Sequence, residues 1–323
     1  MTHVPAAPGK NIKNAVESKA LFLSGGIMNK SKGLAFGILA GFIYGFTPIL
    51  GKLTYLEGSN PISLTFYRNL LSIPFFFAML KYNKISLKIE KSQSKKFAVL
   101  GFLASVTALC LYGSYNYISV GMSTTIHYIY PVLVTAACII IFKDKISRDK
   151  VVSLLLSTIG ITLFFEGSLN MTGILMSFLS GIFFTGYLLF MDKSGLDTVF
   201  PFKITFYTAI FSSVYLFIFG IISKDLVFKM TFTGWFFTIL VAVFVSFLAN
   251  TFVTLGVKYV GPTVTSIVGM LEPITSIIMG ILFLREPVTL KNILACALIL
   301  LGVLIVTLAK EKNSDDTPCH PER

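Results

Sequence analysis

Stretches of about twenty mostly apolar residues follow one another along the chain almost without interruption. They lie at approximately 33–52, 62–80, 97–118, 123–142, 151–167, 173–191, 202–223, 234–256, 263–284 and 292–309. A helix of that length crosses the hydrocarbon layer of a bilayer. Within that layer only helices and closed barrels satisfy their own backbone. A barrel would need alternating segments of about ten residues, and the sequence has none. The pattern predicts an all-α membrane protein of ten transmembrane helices, with connections too short to house a soluble domain. Charged residues make up 13% of the chain, against about 25% in soluble domains. That is too little charge to coat a water-facing surface, which excludes a soluble enzyme or regulator and also a disordered chain.

The spans repeat. Pro61 opens PISLTFYRN and Pro201, 140 residues on, opens PFKITFYTA. At the same offset Gly33, Gly37, Gly41 and Gly45 fall on Gly173, Ser177, Gly181 and Thr185, small at every position. Further along the offset becomes 142. Tyr117, Pro131, Lys143-Asp144 and Gly160 then match Tyr259, Pro273, Arg285-Glu286 and Gly302. A register held over several helix pairs predicts two five-helix repeats, 33–168 and 173–309, flanked by an arm of residues 1–32 and a tail of 310–323. Five is odd, so the second repeat starts on the opposite side of the membrane and the repeats are inverted copies. The small-residue stripe lets helix backbones approach closely. It serves tight packing, a rocking contact between repeats, or both.

Charge sets the orientation. With the N-terminus inside, 20 Lys and Arg face the cytoplasm and 5 face outward, most of the bias lying in the first half. The excess of cationic loops predicts both termini cytoplasmic in the cell (inner) membrane. It also accounts for the net charge of +12 without nucleic acid as a partner. Residues 1–27 hold only a short apolar patch, Ala20–Leu23, with no cleavage pattern after it, so a chain beginning at Met28 is expected to insert and function normally. Cys110, Cys138 and Cys296 lie inside apolar runs and Cys319 in the tail, without metal or redox spacing, and read as packing residues. There is no GxxxxGK[ST] motif, carboxylate pair or nucleophile triad. No enzyme, cofactor or metal is expected, and ATP hydrolysis within the chain is excluded.

Inverted repeats mark secondary transporters. The Gly-striped GLAFGILAGFIYGFTPILGK, the second-span FYRNLLSIP and the ninth-span GPTVTSIVGMLEPITSIIMGILFLREPVT, with HYIYPVLVTAACIIIFKDKIS as its first-half counterpart, resemble the drug/metabolite transporter superfamily, specifically its EamA-domain branch, over about 30–309. The resemblance implies transport by alternating access, often outward, of amino acids, other metabolites, nucleotide-linked compounds or drugs. It also implies a cavity lined by spans one, three, four, six, eight and nine. It does not name the cargo. The expectation is an exporter of small organic metabolites such as amino acids, with a drug or cationic-solute effluxer as the alternative. From another class, a membrane scaffold or receptor-like protein without flux stands beside it. Small-molecule substrate and lipid bilayer are the implied partners, and a homodimer is left open. In one respect the sequence departs from the family pattern: Glu-Pro occurs only in the second half, where the first has Tyr130-Pro131.

Ionisable groups inside a membrane are costly and need a reason. Glu272, about ten residues into its span and directly before Pro273, reads as a ligand for a substrate amine or a proton carrier, or else as a structural carboxylate. Arg68 suits a substrate carboxylate or phosphate, or a clamp to carbonyls or Glu57. His127 suits a titrating group or a fixed structural donor. Tyr44, Tyr130 and Tyr187 offer aromatic walls carrying a hydroxyl, or else serve interface belts and packing, and Asn250, a mid-span amide, reads as an inter-helix hydrogen bond or a cavity ligand. These seven form the candidate substrate-binding and coupling set. Pro131 and Pro273, equivalent in the repeats, are the candidate hinges, the alternative being tolerated bends.

Overall fold

The computed structural model describes residues 30–118, 120–143, 145–163, 170–196, 199–284 and 289–308. Expectations for residues 1–29, for the tail beyond 308, and for Asp144 and Arg285-Glu286 lie outside the described residues. Within them the chain is helical and contains no strand.

The first crossing is α1 (30–44) followed by α2 (Thr47–Leu56). Then come α3 (Pro61–Tyr82), α4 (Lys91–Ser114), α5 (Val120–His127), α6 (Tyr130–Ile140) and α7 (Arg148–Thr162). The second half runs α8 (Met171–Lys193), α9 (Pro201–Ser223), α10 (Phe232–Val241), a π-helical stretch (Ala242–Ala249), α11 (Asn250–Gly269), α12 (Glu272–Leu284) and α13 (Leu290–Leu308).

Among the described residues seven helical stretches are long and apolar enough to cross a membrane, three of them joining neighbouring helices: 30–56, 122–140 and 232–269. Residues 232–269 form one 38-residue helix that kinks at Gly261, whose φ of 78° and ψ of 169° are non-helical. This merges the eighth crossing with the start of the ninth and leaves α12 with 13 residues. Span five corresponds to the 15 residues of α7, and 164–167 lie outside the described residues. The long apolar side chains Leu155, Phe178, Phe217, Phe236 and Leu300 remain exposed, as lipid-facing side chains do.

Matching helices of the two halves pack against each other. Gly220 near the end of α9 lies against Ile62 at the start of α3, and along α7 and α13 Gly160 meets Ala295 while the earlier Ser153 meets the later Gly302. Both pairs are therefore antiparallel. The stripe glycines fill corresponding roles. A Cβ on Gly33 would meet Tyr259 and Val260 at 2.7 Å, and one on Gly173 would meet Tyr117 and Ile118 at 2.9 Å. These partners are the same pair of positions in the two repeats.

Proline dictates where helices break. Pro48, Pro131 and Pro273 each occupy the second residue of a helix that restarts after a two-residue break, at 45–46, 128–129 and 270–271. Proline lacks the N–H that the carbonyl four residues earlier would accept. Those carbonyls belong to His127 and Gly269 for the last two. Gly181 approaches the first, so that a Cβ there would lie 2.9 Å from His127 O, and Gly41 approaches the second at 3.4 Å. The stripe thus packs directly on the two breaks.

Candidate functional site

The breaks open onto a cavity lined by residues of both halves. Tyr44, Arg68, His127, Tyr130, Tyr187, Asn250 and Glu272 all line it. The structure therefore brings the seven candidate side chains together, from seven separate helices. Pro131 and Pro273 sit behind the wall, each one residue after a lining side chain, Tyr130 or Glu272.

Glu272 is the first residue of α12, where the helix dipole favours a negative side chain. The Tyr128 hydroxyl lies beside its carboxyl without completing a hydrogen bond of good geometry. Tyr130, its counterpart in the first repeat, is buried and sends its hydroxyl towards Ser266 O at 3.5 Å.

Arg68 donates from Nη1 to the Tyr112 hydroxyl at 2.7 Å, and its guanidinium lies 5.0 Å from the centre of that ring. It does not clamp Glu57, whose carboxylate accepts from Thr231 Oγ1 instead. Its Nε is buried without a partner. Among the described residues Lys193 and Asp192 form an ion pair at 3.3 Å, whereas none within 4.0 Å joins Arg68 to Glu272. The cavity therefore presents one guanidinium and one carboxylate that have not neutralised each other by contact.

His127 ends α5 and meets Ser180 Oγ at 2.8 Å through Nδ1. Its ring packs against Tyr130 at 5.2 Å and Phe184 at 5.6 Å, and Phe184 stacks on Tyr187 at 6.0 Å with an angle of 7°. The three rings and the imidazole make one continuous wall.

Asn250, the residue directly after the π-helical stretch, accepts a hydrogen bond at Oδ1 from the Tyr44 hydroxyl, tying the first crossing to α11. An interhelical bond inside a membrane contributes about 0.6–1 kcal/mol. A double-mutant cycle of Tyr44→Phe and Asn250→Leu, read by thermal unfolding in detergent, is expected to give a coupling of about that size. A coupling of zero would show that the bond contributes nothing.

Sequence reasoning missed further polar lining. Thr47 Oγ1, Thr208 Oγ1 and Ser246 Oγ line the cavity, are buried and have no partner. Thr208 was findable, being the residue 140 after Arg68. Ser246 had no signal, because it faces inward through the π-helical register rather than through an α-helical period. Among the described residues Cys110, Cys138 and Cys296 form no disulfide; Cys138 is buried and accepts from Thr263 Oγ1 at 3.6 Å, and Cys110 and Cys296 are half-buried.

An all-helical bundle of long apolar crossings, folded around a polar and aromatic cavity, is a multi-pass membrane protein of transporter type. Residues 31–166 and 171–308 each match the EamA-like transporter family. The chain belongs to that family, part of the drug/metabolite transporter superfamily, whose members are transporters rather than enzymes. Among curated proteins no sequence matches it. One solved crystal structure superposes with a TM-score of 0.74 over 85% of this chain and 97% of its own, at 12% identity; the likeness is one of fold.

Proposed function

We propose that this protein is a secondary transporter that exports small organic metabolites, amino acids or related compounds, by alternating access between two inverted repeats. The observation that carries the reading is the convergence of buried polar atoms without protein partners on one cavity: Arg68 Nε, Thr47 Oγ1, Thr208 Oγ1 and Ser246 Oγ. Buried polar groups are ordinarily satisfied, so such a lining suits a polar guest. Arg68 would take its carboxylate, Glu272 its ammonium, and the Tyr44, Tyr130 and Tyr187 rings its apolar part. His127 and Asn250 would complete the lining, and the breaks before Pro131 and Pro273 would act as hinges. Ten crossings follow if the 38-residue helix is read as two joined at Gly261, and if α7 and α13 each cross once.

Aromatic walls beside a carboxylate also suit an organic cation, which favours the effluxer as second reading. Flux into vesicles containing purified protein separates the two. Arg68→Gln is expected to lower amino-acid flux at least about tenfold, the lower bound for the loss of one charge-assisted hydrogen bond, and to leave organic-cation flux unchanged. Loss of both, or of neither, would remove the assignment of Arg68. Absence of flux for every solute class would favour a scaffold.

Orientation follows from the 20 to 5 split of cationic residues and has its own test. Single cysteines at Ser92 and Ser59 are expected to label from the cytoplasmic and outer faces respectively. Labelling of intact cells by an impermeant thiol reagent at 92 and not at 59 would reverse the topology.

A further inference from the structure

Two non-helical segments, 83–90 after α3 and 224–231 after α9, hold matching positions in the repeats. Each leaves its helix through a lysine in the left-handed region, Lys84 with φ 54° and Lys224 with φ 59°, again 140 residues apart. Each then crosses to the other repeat. Tyr67 on α3 donates its hydroxyl to Val227 O at 3.0 Å, and Tyr207 on α9 donates to Leu87 O. Donors and acceptors alike are offset by 140 residues. Neighbouring bonds reinforce both. Val227 N donates to Ser63 Oγ at 2.8 Å, and at the position equivalent to Ser63 the Lys203 ammonium donates to Lys88 O at 2.7 Å. Because α3 and α9 are antiparallel, the two sets of bonds lie at opposite ends of the pair.

We propose that segments 83–90 and 224–231 are straps, one at each membrane face, and that Tyr67 and Tyr207 are latches released one at a time as access alternates. The proposal rests on the alternating-access reading above. Both bonds join one repeat to the other, so opening a gap at either face between strap and helix must break the bond at that face. A staple within one repeat would carry no such coupling. The latches also connect to the cavity: Arg68 and Thr208, the residues directly after Tyr67 and Tyr207, both line it. Each tyrosine ring is held independently of its hydroxyl. Tyr67 packs edge-on to Trp235 at 4.8 Å and Tyr207 stacks on Phe97 at 5.1 Å. Phenylalanine at either position therefore removes the bond and keeps the packing.

The test uses Ala104→Cys, a cavity-lining position, in full-length protein whose four native cysteines are replaced by serine. An impermeant maleimide is applied to right-side-out and to inverted membrane vesicles, and the ratio of labelling rates from the two faces is measured. One net hydrogen bond shifts an equilibrium about fivefold. Tyr67→Phe is expected to shift the ratio about fivefold towards the face of 224–231. Tyr207→Phe is expected to shift it similarly towards the face of 83–90, and the double variant to return it near the starting value. A reporter that labels from both faces, with a ratio unmoved by either variant or moved the same way by both, overturns the latches and leaves alternating access standing. A reporter that labels from only one face in every variant overturns alternating access and the latches with it.

Discussion

Glu272→Gln is expected to reduce cargo flux in reconstituted vesicles at least about thirtyfold and to abolish its response to an imposed pH gradient, while expression and thermal stability stay near wild type. The magnitude corresponds to about 2 kcal/mol, the value of one charge-assisted hydrogen bond to the cargo. An ionised carboxylate deep in a membrane costs several kcal/mol unless it is compensated. Here compensation comes from the start of α12, with the Tyr128 hydroxyl beside the carboxyl short of a well-formed hydrogen bond and no cation paired to it within 4.0 Å among the described residues. A group so placed changes partners at little structural cost. It can hold a proton in one access state and a substrate ammonium in the other. Glutamine keeps the shape and much of the hydrogen bonding but can do neither. Tyr130→Phe, at the equivalent position in the first repeat, removes only a long contact to Ser266 O and is expected to cost less than about threefold, since one weak neutral hydrogen bond is at stake. Wild-type flux with a wild-type pH response in Glu272→Gln would make the residue structural and end the coupling argument.

The repeat register could be read from the sequence because it is carried by residue size. Gly33 and Gly173 match at an offset of 140, Tyr117 and Tyr259 at 142, and the structure brings each glycine against the tyrosine of the other repeat. Close approach tolerates no side chain, so the constraint is written into identity. Lining by polar residues within crossings was legible for a related reason: hydrocarbon penalises such groups everywhere except at a cavity or a packed interior. Helix boundaries were less legible. The apolar pattern ends the eighth span at 256, whereas the helix continues to the kink at Gly261, where glycine followed by Pro262 was the available signal. The π-helical stretch that carries Ser246 packs against α3, and no local pattern announces it. The Tyr112 partner of Arg68 lies 44 residues away, a distance over which sequence spacing specifies nothing.

Gly302→Leu is expected to destabilise the protein by about 3 kcal/mol, the upper range for forcing volume into a packed interior, and to lower its melting temperature in detergent accordingly. A Cβ at Gly302 would lie 2.2 Å from Ser157 Oγ and 2.7 Å from Ser153 O, and Ser153 Oγ donates back to Gly302 O. The hydroxyl of Ser157 can rotate away; the carbonyl of Ser153 belongs to the α7 backbone and cannot move without shifting the helix. Helices associate in lipid through such backbone proximity, since apolar side chains gain little by leaving lipid for each other. Separating α7 from α13 therefore sacrifices dispersion attraction and the Ser153 bond together. Gly51→Ala supplies the control, because its new methyl would stand 3.6 Å from Leu64 Cδ2, an ordinary contact, and alanine is the better helix former. Its melting temperature should equal or exceed that of wild type. Adding Ser157→Gly to the smaller substitution Gly302→Ala should recover part of the stability and not all of it, because the clash with Ser153 O remains. A Gly302→Leu protein that melts with the control would show that α7 and α13 do not depend on backbone contact, and full recovery by Ser157→Gly would place the whole clash on the hydroxyl.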